Sequence, residues 1–271
     1  WAATGEGVLT HSLYKSFEGF GLAKQDYLYQ PYRITDGHHD ILCFFRDDGL
    51  SDKIGFEYSK LYASEAVSDF IRSLEQIQSA NTRTQCPVVS VILDGENAWE
   101  YYPYNAYYFL SELYAALVDH PNIEMATFSD ILAMPGNTVA METLPEVAAG
   151  SWVYGSFSTW IGSAEKNRGW DLLCDAKECY DRAMQDGLLT QEEIVACERQ
   201  LAICEGSDWF WWFGDYNSAM SVDSFDRLYR RNLSNLYHLL KLPVPEVLNH
   251  PISVGAGDPA VGGTMRRGQE A

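Results

Sequence analysis

The chain has 271 residues with 19 basic against 38 acidic side chains, and its net charge of −19 argues against nucleic acid or an anionic membrane surface as partner. Apolar residues make up 46%, enough for a sizeable core in one large domain or a domain with a smaller companion, and no apolar run is as long as a membrane span. Aromatics are the outlier, at 8 Trp, 17 Tyr and 12 Phe; most single rings belong in a core, yet rings beside carboxylates also suit the apolar faces and hydroxyls of sugars.

Short β-like runs alternate with helical patterns through the first half. Residues 1–4 (WAAT) lead into Gly5-Glu6-Gly7, 41–46 (ILCFFR) into Asp47-Asp48-Gly49, 88–93 (VVSVIL) into Asp94-Gly95-Glu96, and 123–128 (IEMATF) into Ser129-Asp130. Between them, 64–80 places Val67, Phe70, Ile71, Leu74 and Ile77 on one helical face behind a Ser64 cap. A second helix is expected over 105–120, starting at Asn105 after Pro103. This alternation predicts parallel α/β layering. Each predicted strand runs into an acid. Acids and glycines suit turns for local reasons, but four such ends in a row point to a shared acidic rim, the place where α/β barrels carry their chemistry.

After the Gly- and Pro-rich stretch 133–151 the pattern turns helical, over 164–186, 190–205 and 221–241. Thr190 and Glu193 form a capping-box pair. The last helix carries Val222, Phe225, Leu228, Tyr229, Leu236 and Leu240 and stops at Pro243. The expected fold is α/β: 1–135 part of a catalytic barrel, 136–150 a linker, 151–245 a three-helix bundle and 246–271 a linker or cut edge. No internal repeat is found.

Six cysteines (Cys43, Cys86, Cys174, Cys179, Cys197, Cys204) show no CxxC pair and are expected as buried free thiols. The adjacent pair His38-His39 lies in a Gly/Asp loop without an HxH or HExxH pattern, so neither a metal nor any other cofactor is expected. The chain starts at Trp1 in what reads as mid-strand, so a piece of something longer is expected; with no signal peptide visible, the leaning is cytoplasmic.

Asp94 is the best catalytic candidate on physical grounds. It follows a fully apolar strand, Gly95 permits a tight turn or close ligand approach, and Glu96 supplies a second carboxylate. Two acids so close cannot both ionise freely, so one becomes a proton donor near neutral pH, as departure of a sugar alkoxide requires. The alternative is that Asp94 and Glu96 cap the loop and bind backbone amides.

Residues 93–117 (LDGENAWEYYPYNAYYFLSELYAAL) resemble the fourth conserved region of glycoside hydrolase family 57, the retaining α-glucan enzymes, and within it the amylopullulanase/α-amylase-like branch. Trp1-Ala2-Ala3-Thr4 with Glu6-Gly7-Val8-Leu9 resembles the segment just after that family's third region. Residues 28–33 (LYQPYR) and 44–56 (FFRDDGLSDKIGF) resemble a further stretch, and 150–173 and 205–218 (EGSDWFWWFGDYNS) its helical part, so the likeness runs to about residue 250. It implies the C-terminal part of an incomplete (β/α)7 TIM-like barrel followed by a helical bundle. Asp94 matches the general acid/base. The nucleophilic glutamate and the N-terminal histidine motif belong to regions upstream of Trp1; Glu6 does not match the nucleophile's motif, and Gly5 stands where the family usually has an acid. The implied chemistry is hydrolysis or transglycosylation of α-1,4 or α-1,6 glucosidic bonds through a covalent glycosyl-enzyme, on an α-glucan or maltooligosaccharide, with this piece inactive alone.

Further candidates surround Asp94. Arg46 and Asp47 bond sugar hydroxyls, orient the acids or form a rim salt bridge. Trp99 and Tyr101 form a stacking platform, and Glu100 bonds hydroxyls or is loop surface. By resemblance Asp208 and Trp209 face the cleft, whereas Trp152 and Trp160 are packing residues. Two other classes remain open: a metal-dependent α-mannosidase- or deacetylase-type barrel, and a non-catalytic glucan-binding or scaffold module.

Overall fold

The computed structural model describes residues 1–18, 20–84, 86–95, 99–134 and 139–257. They form two compact units, one over Trp1–Ser156 and one beginning at Phe157.

The first unit is built on strands β1 (Ala2–Gly5), β2 (Tyr32–Thr35), β3 (Asp40–Arg46) and β4 (Glu142–Thr143), in the order β1-β3-β2-β4. The sheet is mixed: β1 runs parallel to β3, with Ala2 opposite Cys43 and Gly5 opposite Arg46, while β2 pairs antiparallel with β3. Successive residues Cys43, Phe44, Phe45 and Arg46 are all buried, so both faces of the second half of β3 are covered, which explains why successive residues there are apolar. Phe44 stacks on Phe128 at 4.3 Å on one side, and Phe45 meets Tyr32 edge-on at 5.7 Å.

The predicted strands 88–93 and 123–128 are not ladder strands. Residues 88–93 run extended beside β3 with one bridge, Ser90 to Arg46. Their remaining polar groups turn to other partners: Val88 N–H donates to Tyr29 O, Ile92 N–H to Ser51 Oγ, and Ile92 O accepts from Arg46 Nε. An apolar run is thus docked by side chains where a ladder was expected. In 123–128, Thr127 caps a short helix that begins at Phe128, and the Asp130 carboxylate accepts the Thr127 N–H at 2.8 Å. That acid is a cap, the local alternative for strand-end acids.

The helices of this unit are α1 (Glu6–Ser16), α2 (Lys24–Tyr27), α3 (Asp48–Asp52), α4 (Ala63–Ala80), α5 (Tyr107–Asp119) and α6 (Phe128–Ala133). In α4, Val67 and Phe70 are buried on the predicted face. Its N-cap is Tyr62, two residues before Ser64, and the Glu65 carboxylate accepts the Tyr62 N–H. α5 begins two residues after Asn105, because Tyr104, Asn105 and Ala106 all sit at positive φ (53°, 50° and 62°). The α4–α5 pair encloses a core of Leu50, Ile54, Tyr58, Phe70, Tyr102 and Phe109.

The second unit contains α7 (Ala164–Asp186), α8 (Gln191–Cys204), α9 (Asp208–Trp212) and α10 (Ala219–Leu239). The three long ones coincide with the predicted helices to within two residues, and the Thr190–Glu193 capping box is formed. On α10 the buried face is Val222, Asp226, Tyr229, Leu233 and Leu236. Leu228 points outward, and Asp226 lies inside because its carboxylate accepts from Arg230, Ile252 N–H and Ser253 N–H. Of the six free thiols only Cys43, Cys197 and Cys204 are buried; Cys86 and Cys174 are exposed, the latter on the face of α7 away from Leu172 and Leu173. No helix among the described residues is long and apolar enough to cross a membrane.

Lys166, near the start of α7, is 2% exposed. It donates to Thr159 O and, at 2.7 Å, to Tyr216 OH, and it faces the Tyr216 ring. Burial pushes its pKa down to about 8, against a small opposing pull from Glu165. The folded value lies below that of the unfolded chain, which therefore binds more protons between about pH 8 and 10.5, and native stability rises across that window. Lys166→Met removes this rise, up to about 3 kcal/mol, visible as the pH dependence of the wild-type minus variant unfolding free energy. Parallel curves for the two proteins would refute a depressed Lys166.

Candidate active site

Because β1 and β3 are parallel neighbours ending together, Glu6 and Asp47 emerge side by side. Lys24 of α2 spans them, with Nζ 2.6 Å from Glu6 Oε2 and 3.1 Å from Asp47 Oδ1. Asp47 also accepts from Tyr29 OH at 2.6 Å and from Leu50 N–H at 3.0 Å, which makes it the N-cap of α3. Burial pushes the Asp47 carboxyl up, but Lys24, Tyr29 and the Leu50 amide outweigh it and hold the group below the usual carboxylate range. Glu6 goes the other way: burial raises it more than Lys24 lowers it. The phenol of Tyr29 is raised, first by burial and then by its bond to Asp47. The two neighbouring acids are thus driven apart, Asp47 to a fixed anion and Glu6 to a readier proton carrier.

Arg46 lies beside this pair with a side chain 5% exposed. Nε donates to Ile92 O at 2.8 Å, and the terminal nitrogens to Asp48 Oδ1 at 2.7 Å and Asp52 Oδ1 at 2.9 Å. Its guanidinium carbon stands 5.5 Å from the Trp152 ring centroid. Burial raises the Asp48 carboxyl despite Arg46. Arg46 and Asp47 therefore lie beneath the surface, their groups taken up by protein partners, with Arg46 clamping 88–93 to β3 two residues before Asp94.

Asp94 follows that clamped segment and is half-buried, with Gly95 beyond it exposed. Glu96 lies outside the described residues. Trp99 is half-buried with its ring 5.7 Å from that of Tyr102, while Glu100 and Tyr101 are exposed. Asp208 and Trp209 belong to the second unit. Asp208 is exposed in the first turn of α9, and Trp209 donates its indole N–H to Ile203 O at 2.9 Å and packs on Tyr229 at 5.5 Å. The structure thus gathers Arg46, Asp47 and the Asp94 segment around the end of β3, and adds Glu6, Lys24, Tyr29 and Ser51. Lys24 and Tyr29 stand at no motif spacing and reach the site through their bonds to Asp47, while Ser51 lies on α3 within the stretch 44–56. Among the described residues no group of three or more His, Cys, Asp or Glu side chains is placed to hold a metal ion.

The Gly5 position has a steric cause. A Cβ there would meet the Trp152 backbone at 2.8 Å, so an acid cannot be accommodated where it is without displacing that loop. Gly7 and Gly155 approach each other similarly, a Cβ on Gly155 falling 2.7 Å from Gly7. Gly5→Asp is expected to destabilise the protein by about 1–3 kcal/mol in chemical denaturation; an unchanged or raised midpoint would show that the 150–156 loop yields freely.

A mixed sheet flanked by helices, with carboxylates at the strand ends, makes the first unit an α/β fold. The model of "Glycosyl hydrolase family 57" matches residues 10–145, half of the chain. The chain belongs to that family. In fold it is similar to a family 57 branching enzyme from the hyperthermophilic archaeon Thermococcus kodakaraensis (TM-score 0.63, 15% identity, 81% of this chain and 47% of that one). It is likewise similar to a branching enzyme of the same type from Pyrococcus horikoshii (0.57, 15%, 91% and 52%) and to an alpha-amylase from Thermotoga maritima (0.53, 15%, 79% and 51%). The chain spans about half the length of these structures. No curated protein matches its sequence.

Proposed function

We propose that this chain forms part of a retaining glycosidase or transglycosylase that acts on α-1,4 or α-1,6 bonds of α-glucans, with Asp94 as general acid/base. The observation that carries the proposal is the placement of Asp94. It follows a segment that bridges parallel to β3 at Ser90 and is held by Arg46 at the end of β3 and by Ser51 of α3, next to Asp47. A rigid approach is what a group that donates and then retrieves a proton needs. Family membership and fold-level likeness to branching enzymes and an amylase support the substrate class. In this reading residues 1–135 are the C-terminal part of a (β/α)7 TIM-like barrel, 136–150 a linker and 151–245 a helical bundle. Glu96 lies close enough in sequence to tune Asp94, and Trp99 and Tyr101 offer ring faces to the sugar.

In the mechanism, a glutamate from outside these 271 residues attacks the anomeric carbon as the glycosidic bond breaks. Asp94 gives its proton to the departing oxygen. It then takes a proton from water, or from a sugar hydroxyl in transfer, as that oxygen displaces the enzyme carboxylate. Two inversions return the α configuration, and the two carboxyl groups stand about 5–5.5 Å apart. NMR of the first products released from maltooligosaccharides by the full-length protein tests this. The α-anomer should appear first and mutarotate later; initial β-anomer would overturn the double displacement.

A further inference from the structure

Beyond the carboxylates, the first unit carries a cleft of about 330 Å³ between the start of α4 and the turn that opens α5. Its floor is Tyr58, Tyr102 and Phe109, all buried. The floor hydroxyls are already committed, Tyr58 OH to Asp69 at 2.8 Å and Tyr102 OH to Ile54 O at 2.5 Å, so the floor presents carbon. The rim is different. Tyr62, Tyr104 and Tyr108 are 80%, 76% and 54% exposed, and Glu112 adds a carboxylate.

The rim is also held at a cost. Tyr104, Asn105 and Ala106 are three consecutive non-glycine residues at positive φ. Each such residue is strained, and strain of this kind persists where ligands are clamped. Here it sets an exposed Tyr104 edge-on to Tyr108, centroids 5.4 Å apart, at the mouth of the cleft. Core packing does not account for that, since both rings face solvent.

We propose that this cleft, whose lining includes none of Glu6, Asp47 and Asp94, is a binding site for a short stretch of neutral α-glucan. The lining has no Lys or Arg and the chain carries a net charge of −19, which disfavours anions. Tyrosine faces suit the apolar faces of pyranose rings, and the rim hydroxyls and Glu112 suit sugar hydroxyls. The cleft is at the lower end of the range of small-molecule sites, about 300–1,000 Å³. The ligand class rests on the proposed function above, whereas the existence of the site does not.

Calorimetric titration of the protein with maltoheptaose tests it, with tetramethylammonium as a competing probe, because an aromatic rim with a carboxylate also suits a quaternary cation. Tyr62→Ala combined with Tyr104→Ala should weaken maltoheptaose by about tenfold or more. Tyr104→Phe, which keeps the ring face, should leave it nearly unchanged. Both tyrosines are exposed, so the variants should keep their unfolding midpoint. The proposal is overturned if the double variant binds as wild type, if wild type binds no maltoheptaose, or if tetramethylammonium binds and the glucan does not. It is equally overturned if Asp94→Asn, and not the tyrosine variants, abolishes binding. None of these results bears on Asp94 as acid/base, which is read from turnover by the full-length protein.

Discussion

Asp94→Asn in the full-length protein is expected to lower kcat on α-glucans by roughly 10²–10⁴-fold, the usual worth of general acid–base help. The amide is nearly isosteric and Asp94 is half-buried at a loop, so the unfolding midpoint should hold. The deficit should depend on the leaving group. A glucoside whose aglycone is already a stable anion departs without a proton, so its first step should approach the wild-type rate. Hydrolysis of the glycosyl-enzyme still needs a base to activate water, and that step stays slow. Pre-steady-state measurement with an activated aryl glucoside should therefore show a burst of aglycone followed by slow turnover in the variant. Starch activity within a few-fold of wild type would remove Asp94 from the mechanism.

The helices of the second unit were legible because capping and periodicity agree there: Thr190 and Glu193 close a box, and apolar residues of α10 recur at helical spacing. The first unit was harder to read. α1 follows β1 without a loop and has no side-chain cap, so nothing local announces it. Residues 88–93 have a strand's composition, yet their hydrogen bonds go to Arg46, Ser51 and Tyr29, partners invisible to any pattern along the chain. For the candidate site, the acids could be listed from the sequence but not sorted. Asp47 and Glu6 differ because Tyr29 and the Leu50 amide reach only the former, and Asp130 is spent on a cap. Gly5 read as a departure from the family pattern, and its cause is a backbone 147 residues away, at Trp152.

Arg46→Met tests whether the site depends on that hidden framework. Arg46 holds three acceptors at once, two carboxylates and the Ile92 carbonyl, from a position almost closed to water. Removing one partner of a buried ion pair costs about 3–5 kcal/mol, because the remaining charges lose their counter-ion. Asp48 and Asp52 are each about a third exposed and can recover some hydration, so the lower end is expected. At roughly 2–4 °C per kcal/mol in a chain of this size, the unfolding midpoint should fall by about 6–12 °C. Stability alone would not separate a structural role from a positioning one; catalysis well below that midpoint does. With Ile92 released, the segment that carries Asp94 loses its anchor, and kcat should fall while KM changes little, since the Arg46 side chain is almost closed to solvent. Arg46→Lys keeps the charge but cannot span three acceptors, so it should recover part of the stability and less of kcat. A raised KM with unchanged kcat would instead make Arg46 a substrate ligand, and its clamp on Ile92 incidental to the chemistry.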